Sequence, residues 1–242
     1  MEKMHVAEHF ISINGEGKCA GQLALFIRFA GCNLSCRYCD TKWANEPEVR
    51  YERYTEQEIY QIIKESGVKN ITLTGGEPLI QKNFKELLAL LRRDKKLRIE
   101  IETNGSVDIA PFMPEEDMIY TDRMNESGHR ENPEQDNVTF TLDYKLSVSG
   151  MEEQMCLSNY QKLRSTDTVK FVVGSKEDLM KSKEIIEMYG LTEKGCGIYF
   201  SSCFGVIEPS EIVDFLVKQK MNDVNIQLQL HKYIWAPDKR GV

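Results

Sequence analysis

Short apolar runs alternate with helical patterns along most of this chain, and this alternation limits the fold more than any other property. Runs typical of strands are found at 23–29, 70–74, 97–103, 117–121, 138–143, 168–173, 197–201 and 224–230. Helical patterns with capping residues and apolar stripes are found at 55–67, 83–94, 176–190 and 209–220. Strands joined by helices imply right-handed crossovers and a mostly parallel sheet. The sequence therefore predicts an α/β fold, either open or curled towards a barrel, with its working loops at the carboxyl ends of the strands.

The length and composition favour one globular domain. A chain of 242 residues buries a sizeable core, and no convincing boundary divides it, so we expect a single domain over 1–242. The segment 122–137 has almost no apolar residues and many turn formers, which predicts a polar loop or surface excursion.

Charge and hydropathy exclude several partners. The net charge of −7 gives no basic face for a nucleic acid, and no apolar run is long enough to span a membrane. The first ten residues lack the apolar core of a signal peptide, so we expect a cytoplasmic protein. Thiols stay reduced in that compartment, and seven cysteines, an odd number, do not suggest a disulfide framework.

Three cysteines, Cys32, Cys36 and Cys39, follow the first apolar strand directly. The residues between them have a composition typical of a loop. A structural zinc site needs a fourth ligand, and neither His5, His9 nor Cys19 has the paired spacing of zinc modules. A [4Fe–4S] cluster held by three cysteines keeps one iron open to a small molecule, which accounts for the number three. The alternative is a set of buried structural cysteines, since free cysteine packs well in cores.

A second motif, LTGGEPLI, follows the strand predicted at 70–74. Gly75 and Gly76 permit close backbone approach at a strand end, and Glu77 offers an acceptor for an ammonium group. Alone, Gly-Gly-Glu-Pro is also compatible with an ordinary turn.

The cysteine spacing CxxxCxxC resembles that of the radical S-adenosylmethionine (SAM) superfamily, and LTGGEPLI resembles its Gly-Gly-Glu-Pro element. The resemblance implies a partial (β/α) barrel with a [4Fe–4S] cluster at the carboxyl end of the strands. In that family SAM chelates the open iron and is cleaved to a 5′-deoxyadenosyl radical. The resemblance assigns to SAM binding Tyr38, Cys39, Asp40, Gly75, Gly76, Glu77, Lys145, Ser147, Phe200, Ser201 and Ser202.

The stretch FISINGEGKCAGQLALFIRFAGCNLSC is similar to the amino-terminal part of the 7-carboxy-7-deazaguanine synthase family, with Phe10, the turn 14–17 and Arg28 at matching positions. That family contracts the ring of 6-carboxy-5,6,7,8-tetrahydropterin with loss of ammonia, a carbon–nitrogen lyase step towards queuosine. The resemblance implies that Thr41 ligates Mg²⁺. It assigns to the substrate Glu16, Arg28 and Thr74, together with Ile13, Asn14 and Gly15. Asn14 stands where the family has Gln, which shortens the side chain.

The side chains suit a pterin on their own chemistry. Glu16 is an acceptor for an amino edge, and Arg28 has a planar fork that suits a carboxylate. Each has a simpler alternative: Glu16 as a solvated turn residue, Arg28 as part of a structural salt bridge, and Thr41 as a cap on the next turn.

The resemblance also implies an electron donor such as flavodoxin or ferredoxin and a homodimer. Cys19, Cys156, Cys196 and Cys203 have no CxxC spacing, and we interpret them as structural. Which residue of the tail closes the pocket, among them His231 and Trp235, stays open. Two rival functions remain at this stage: a glycyl-radical enzyme activase, which would not need the turn 14–17, and a zinc-binding interaction module.

Overall fold

The computed structural model describes residues 2–46, 48–114, 136–236 and 239–242. The strands are β1 (Met4–Ile13), β2 (Leu23–Phe29), β3 (Glu52–Tyr54), β4 (Asn70–Gly75), β5 (Arg98–Thr103), β6 (Val138–Tyr144), β7 (Thr168–Val173), β8 (Gly197–Ser202) and β9 (Val224–Gln227). The helices are α1 (Glu56–Ser66), α2 (Phe84–Arg92), α3 (Ser158–Lys162), α4 (Lys176–Met188), α5 (Pro209–Gln219) and α6 (His231–Ile234).

The nine strands of the described residues form one sheet in the order β3-β1-β2-β4-β5-β6-β7-β8-β9. In the sheet order from β2 to β9, each strand is parallel to the next. On the other side of β2, the strand β1 is antiparallel to both of its neighbours, β2 and β3. The predicted mostly parallel α/β sheet is therefore confirmed, and it is open, because β3 and β9 are not paired with each other. The sequence analysis did not identify β1 or β3.

The two faces of the sheet differ in polarity. Alternate residues such as Ile99 and Ile101 of β5 or Val169 and Phe171 of β7 are buried in the apolar core. Residues between them on the other face are polar: Glu102 pairs in register with Thr141, and Asp143 with Lys170. Because side chains alternate along a strand, one face packs in the core and the opposite face presents charged groups to a cavity.

The nearly continuous apolar sequence of β2 predicts a strand buried on both faces, and this prediction is wrong. Leu25, Ile27 and Phe29 are core residues, whereas Phe26 and Arg28 line the cavity. The apolar residue Phe26 hides the alternation, so a half-polar strand is difficult to distinguish from a fully buried one by sequence.

The predicted helices form close to their expected limits. The α1 helix begins after Thr55, which forms a capping box with Glu58, and ends at Gly67 in the left-handed conformation. The predicted strand at 117–121 and most of the predicted polar loop at 122–137 lie outside the described residues. Within the described part of the chain, no helix has the length and apolarity that crossing a membrane requires.

Candidate active site

A cavity of about 720 Å³ opens at the carboxyl ends of the strands. Cys32, Cys36 and Cys39 line it, and so do the predicted substrate residues Glu16 and Arg28 and the predicted magnesium ligand Thr41. The volume lies within the range of small-molecule sites. The structure thus brings the predicted cluster, substrate and magnesium residues to one place.

The loop that carries the cysteines is held by main-chain hydrogen bonds. The N–H of Gly31 donates to the carbonyl of Ala44 at 3.0 Å, and the N–H of Arg37 donates to the carbonyl of Ser149 at 3.0 Å. Gly31 has φ of +89°, a conformation that favours glycine. The loop is therefore anchored at its start and its middle.

The cysteine side chains fit a cluster held by three thiolates. All three are free and partly exposed, and the Sγ of Cys32 accepts hydrogen bonds from the N–H of Leu34 at 3.4 Å and the side-chain amide of Asn104 at 3.5 Å. Burial raises the pKa of the Cys36 and Cys39 thiols, so binding as thiolates releases protons. Among the described residues, no group of three His, Cys, Asp or Glu side chains is placed to hold a single metal ion. A cubane spreads its ligands over separate irons and does not need such convergence.

The end of β4 lies so close to the end of β2 and the residues after it that only glycine fits at positions 75 and 76. A Cβ on Gly75 would lie 2.2 Å from the carbonyl oxygen of Phe29, and one on Gly76 would lie 2.0 Å from that of Gly31. No side chain fits there. The two glycines line the cavity and bring the end of β4 against the start of the cysteine loop.

Glu77 is fully buried and does not line the cavity. Its carboxylate accepts hydrogen bonds from the N–H of Asn104 at 2.7 Å, the N–H of Leu79 at 3.0 Å and the hydroxyl of Thr103 at 2.8 Å. Burial raises the pKa of Glu77 to about 7, although these hydrogen bonds oppose the shift. In this structure Glu77 therefore holds the turn that presents Asn104 to Cys32.

Arg28 contacts Glu8 at its Nε and Thr41 at its Nη1. Its Nε donates to Oε1 of Glu8 at 2.9 Å, and its Nη1 lies 3.5 Å from the hydroxyl of Thr41. The salt-bridge alternative is thus present, yet the side chain also lines the cavity. Thr41 makes no side-chain cap on the short helix that follows it; its hydroxyl donates to Oδ1 of Asp40 at 3.0 Å.

Glu16 is part of a largely buried charge cluster with Lys170 and Asp143. Its Oε2 accepts from Nζ of Lys170 at 2.7 Å, while its Oε1 is buried without a hydrogen-bond partner among the described residues. Nζ of Lys170 lies 3.2 Å from Asp143, which also pairs with Lys145 at 2.5 Å. Glu16 is therefore not a solvated turn residue.

Two further carboxylates lie beside this cluster on β5. Burial, together with the neighbouring Glu102, raises the pKa of Glu100 to about 7, and burial also raises the pKa of Glu102. Burial alone would raise the pKa of Asp143, but Lys145 and Lys170 hold it below its usual value. The cavity wall thus combines Asp143, whose pKa the two lysines lower, with Glu102, whose pKa burial raises.

The remaining predicted substrate residues are divided. Ile13, Gly15 and Thr74 line the cavity. Asn14 does not: it is buried, and its side-chain oxygen accepts from the hydroxyl of Thr72 at 2.9 Å. The side chain of Asn14 therefore forms a hydrogen bond within the sheet and does not face the cavity.

The predicted SAM residues are also divided. Tyr38, Asp40, Lys145 and Ser202 line the cavity, with Nζ of Lys145 at 5.8 Å from the centroid of the Tyr38 ring. Phe200 lies in the core, and Ser201 is bonded to Gln227. Ser147 is bonded to Asp178 and lines an adjoining cleft of about 520 Å³ that shares Cys32 and Leu34 with the cavity.

The carboxyl-terminal part of the chain forms one wall of the cavity. His231 and residues 239–242 line it, whereas Trp235 does not. A Cβ on Gly15 would lie 2.8 Å from Nδ1 of His231, so the two pack closely. The guanidinium of Arg240 stacks on Trp43 at 4.1 Å, which joins the tail to the cysteine loop.

Sequence reasoning missed Glu8, Glu102, Asp143 and Lys170, although all four line the cavity. A signal was available in β5, where charged residues occupy every second position, and in the single charged residues Asp143 of β6 and Lys170 of β7. These charged positions were not used to define the site.

Comparisons with known proteins identify the chain. Residues 26–123 match the model of the Radical SAM superfamily. The 7-carboxy-7-deazaguanine synthase of Clostridium acetobutylicum is 52% identical over 237 residues, which cover 98% of both chains. The 7-carboxy-7-deazaguanine synthase of Chlorobaculum tepidum is 34% identical over 242 residues, covering 99% of this chain and 97% of its own. The crystal structure of QueE from Escherichia coli superposes with a TM-score of 0.66 at 22% identity, covering 93% of this chain and 94% of the other.

The fold, the three-cysteine loop and the superfamily match define a radical SAM enzyme. Within this class, the chain belongs to the 7-carboxy-7-deazaguanine synthase family. Both resemblances inferred from the sequence are confirmed. The superfamily implies a [4Fe–4S] cluster and SAM, and the three free thiols on one cavity wall fit that cluster.

Proposed function

We propose that this enzyme is a 7-carboxy-7-deazaguanine synthase, which contracts the ring of 6-carboxy-5,6,7,8-tetrahydropterin to 7-carboxy-7-deazaguanine with loss of ammonia. The single observation that supports it best is that Glu16, Arg28 and Thr41 line the same cavity as Cys32. The identity of 52% to a full-length relative of that name supports the same substrate.

In this proposal each side chain has a distinct task. Glu16 accepts hydrogen bonds from the amino edge of the pterin, and Arg28 binds its carboxylate beside Thr41. Ile13, Gly15 and Thr74 complete the substrate wall. A substrate contact of Asn14 stays a prediction, because its side chain bonds Thr72 and its main chain bonds Gln22 and Gly21.

We assign Cys32, Cys36 and Cys39 to the cluster, with Tyr38, Asp40, Lys145 and Ser202 towards SAM. When bound, the cluster and SAM supply the radical that abstracts hydrogen from the substrate. The assignment of Gly75, Gly76 and Glu77 to the methionyl end of SAM is retained as a prediction. So is that of Ser147, Phe200 and Ser201, which lie outside the cavity wall.

Thr41 is proposed to ligate Mg²⁺. Its hydroxyl lies on the cavity wall between Asp40 and Arg28, where it could share a cation with the substrate carboxylate. Magnesium prefers oxygen ligands and often keeps several waters beside one protein oxygen.

The remaining proposals concern the whole protein. We propose a cytoplasmic homodimer in which residues 1–242 form one radical SAM domain, reduced by flavodoxin or ferredoxin. The single continuous sheet supports one domain. Exposed apolar side chains on the last strand and the helices beside it, including Ile226, Val217 and Tyr233, support a dimer.

The test is anaerobic incubation of the reconstituted enzyme with reductant, SAM, Mg²⁺ and the carboxytetrahydropterin. The expected products are the deazaguanine and ammonia. Cleavage of SAM with no conversion of the pterin would contradict the proposed function.

A further inference from the structure

Lys170 lies on β7 with its ammonium group between two carboxylates. Its Nζ is 2.7 Å from Oε2 of Glu16 and 3.2 Å from Oδ1 of Asp143. The three side chains are 14%, 13% and 18% exposed, so they meet largely out of contact with solvent. An ammonium has three donors and no acceptor; here one N–H donates to Glu16, and Asp143 forms an ion pair with the same group.

This contact leaves Glu16 with one oxygen engaged and one open. Oε2 is bound by Lys170, whereas Oε1 is buried and has no hydrogen-bond partner among the described residues. An unpaired buried acceptor is unfavourable in the free protein. Because Glu16 lines the cavity, a ligand with N–H donors would satisfy that oxygen.

We propose that Lys170 is a positioning residue: by holding Oε2 of Glu16 it directs Oε1 towards the N–H donors on the amino edge of the pterin. The inference rests on the proposed function, because that function supplies the amino edge. A carboxylate free to rotate would present the acceptor only part of the time, and preorganisation of a binding group strengthens binding.

The second carboxylate fixes Lys170 itself. Asp143 accepts from Lys145 at 2.5 Å and lies beside Lys170, and Nζ of Lys145 lies over the Tyr38 ring. The chain of contacts therefore runs from the proposed substrate side of the cavity to its proposed SAM side. The groups that face Lys170 in this cluster are Glu16, Glu102, Asp143 and Lys145.

The charge of Lys170 is permanent at working pH. Burial alone would lower its pKa, but Asp143 and Glu16 raise the pKa well above the ordinary lysine value. A group that keeps its proton in this way suits the orientation of a carboxylate better than proton transfer.

The experiment compares Lys170→Met and Lys170→Arg with wild type. Binding of oxidised 6-carboxypterin in the presence of SAM is measured by calorimetry, and KM for the carboxytetrahydropterin is measured by turnover. Loss of one partner of a buried charge pair predicts binding about 30-fold weaker or more for Lys170→Met, seen in KM more than in kcat. Lys170→Arg, which keeps a cationic donor, should recover most of that loss.

Two controls separate positioning from general damage. Lys194→Met removes a lysine whose Nζ donates, in the described part of the chain, to the main-chain carbonyls of Tyr160 and Gln161, and it should match wild type. Iron content and the visible absorption of the cluster check that Lys170→Met is folded.

A double-variant cycle with Glu16→Gln tests whether Lys170 acts through Glu16. Coupled residues give non-additive effects, so the double variant should lose little more than Glu16→Gln alone. Multiplied losses, or unchanged pterin binding in Lys170→Met, would overturn the proposal while the proposed function stands. If wild type neither binds nor converts the pterin, the proposed function fails first.

Discussion

Arg28 and Glu8 form a salt bridge across the antiparallel pair β1–β2, with Nε 2.9 Å from Oε1. The two residues face each other in the strand register, and both line the cavity. The carboxylate therefore holds the guanidinium at its Nε edge, which leaves the terminal nitrogens on the Thr41 side for a ligand.

Replacing Arg28 should weaken turnover of the pterin severely. In Arg28→Ala the substrate carboxylate loses its buried partner, and losses of about 2–5 kcal/mol are typical for such pairs. We expect kcat/KM to fall by about 30-fold to several-thousand-fold. Steady-state turnover measures this, with cluster absorption as the check on folding.

Glu8→Gln is the matched comparison for Arg28. It keeps a neutral acceptor near Nε and leaves the guanidinium in place, so we expect a smaller loss than in Arg28→Ala. Equal losses in both variants would mean that Arg28 serves mainly the salt bridge.

Each of the three clustered cysteines should be indispensable for SAM cleavage. Cys32→Ala, Cys36→Ala or Cys39→Ala removes one of three iron ligands, and production of 5′-deoxyadenosine should fall to background. Cys156→Ala changes a thiol whose side-chain hydrogen bond among the described residues is to Ser158, and it should cleave SAM as wild type does. A normal yield from any of the three clustered variants would falsify the assignment.

Thr41 should determine the response to magnesium. Thr41→Ala removes the proposed protein ligand, so turnover should gain much less from added Mg²⁺ than in wild type. Thr41→Ser keeps the hydroxyl and should keep the response. The measurement is turnover over a Mg²⁺ titration after chelation, and an unchanged response in Thr41→Ala would contradict the magnesium site.

Glu100 should make the protein less stable as the pH rises. Burial raises its pKa from 4.5 to about 7, so the folded state binds more protons than the unfolded state between these values. The free energy of unfolding therefore falls as pH rises through this window and levels off above it. Glu100→Gln removes this penalty. Relative to wild type, the variant should gain more free energy of unfolding at pH 8 than at pH 5.5, by about 1–2 kcal/mol.

Urea unfolding at both pH values measures the effect, with Glu184→Gln as the control on the exposed face of α4. Glu184 is a 53% exposed side chain, and its substitution should change stability by about 0.5 kcal/mol or less at either pH. A gain in Glu100→Gln that does not depend on pH would contradict the raised pKa.

Much of the fold was predictable from local patterns. The capping box and the terminal glycine of helix α1 are recognisable in the sequence. The parallel pairing of the strands follows from the helices that connect them. The strand β1 was missed because it lies on the antiparallel side of the sheet, where no helix precedes it to mark a strand–helix unit.

The site was predictable only where its residues are close in sequence. Cys32 to Thr41 form one loop, and the two glycines follow the next parallel strand. Lys170 and Glu16 are 154 residues apart, and their contact depends on how the sheet brings β7 to the turn after β1. Ser147 and Phe200 illustrate the reverse case, since a strand end alone does not place a residue on the cavity wall.

The most direct test of the account is one anaerobic reaction followed by mass spectrometry. Wild-type enzyme with its cluster reconstituted is given reductant, SAM, Mg²⁺ and 6-carboxy-5,6,7,8-tetrahydropterin. The account predicts 7-carboxy-7-deazaguanine and ammonia in equal amounts, which form only when both SAM and the pterin are present. Wild-type enzyme that produces 5′-deoxyadenosine but leaves the pterin unchanged would contradict it, and a glycyl-radical activase would be the function to test next.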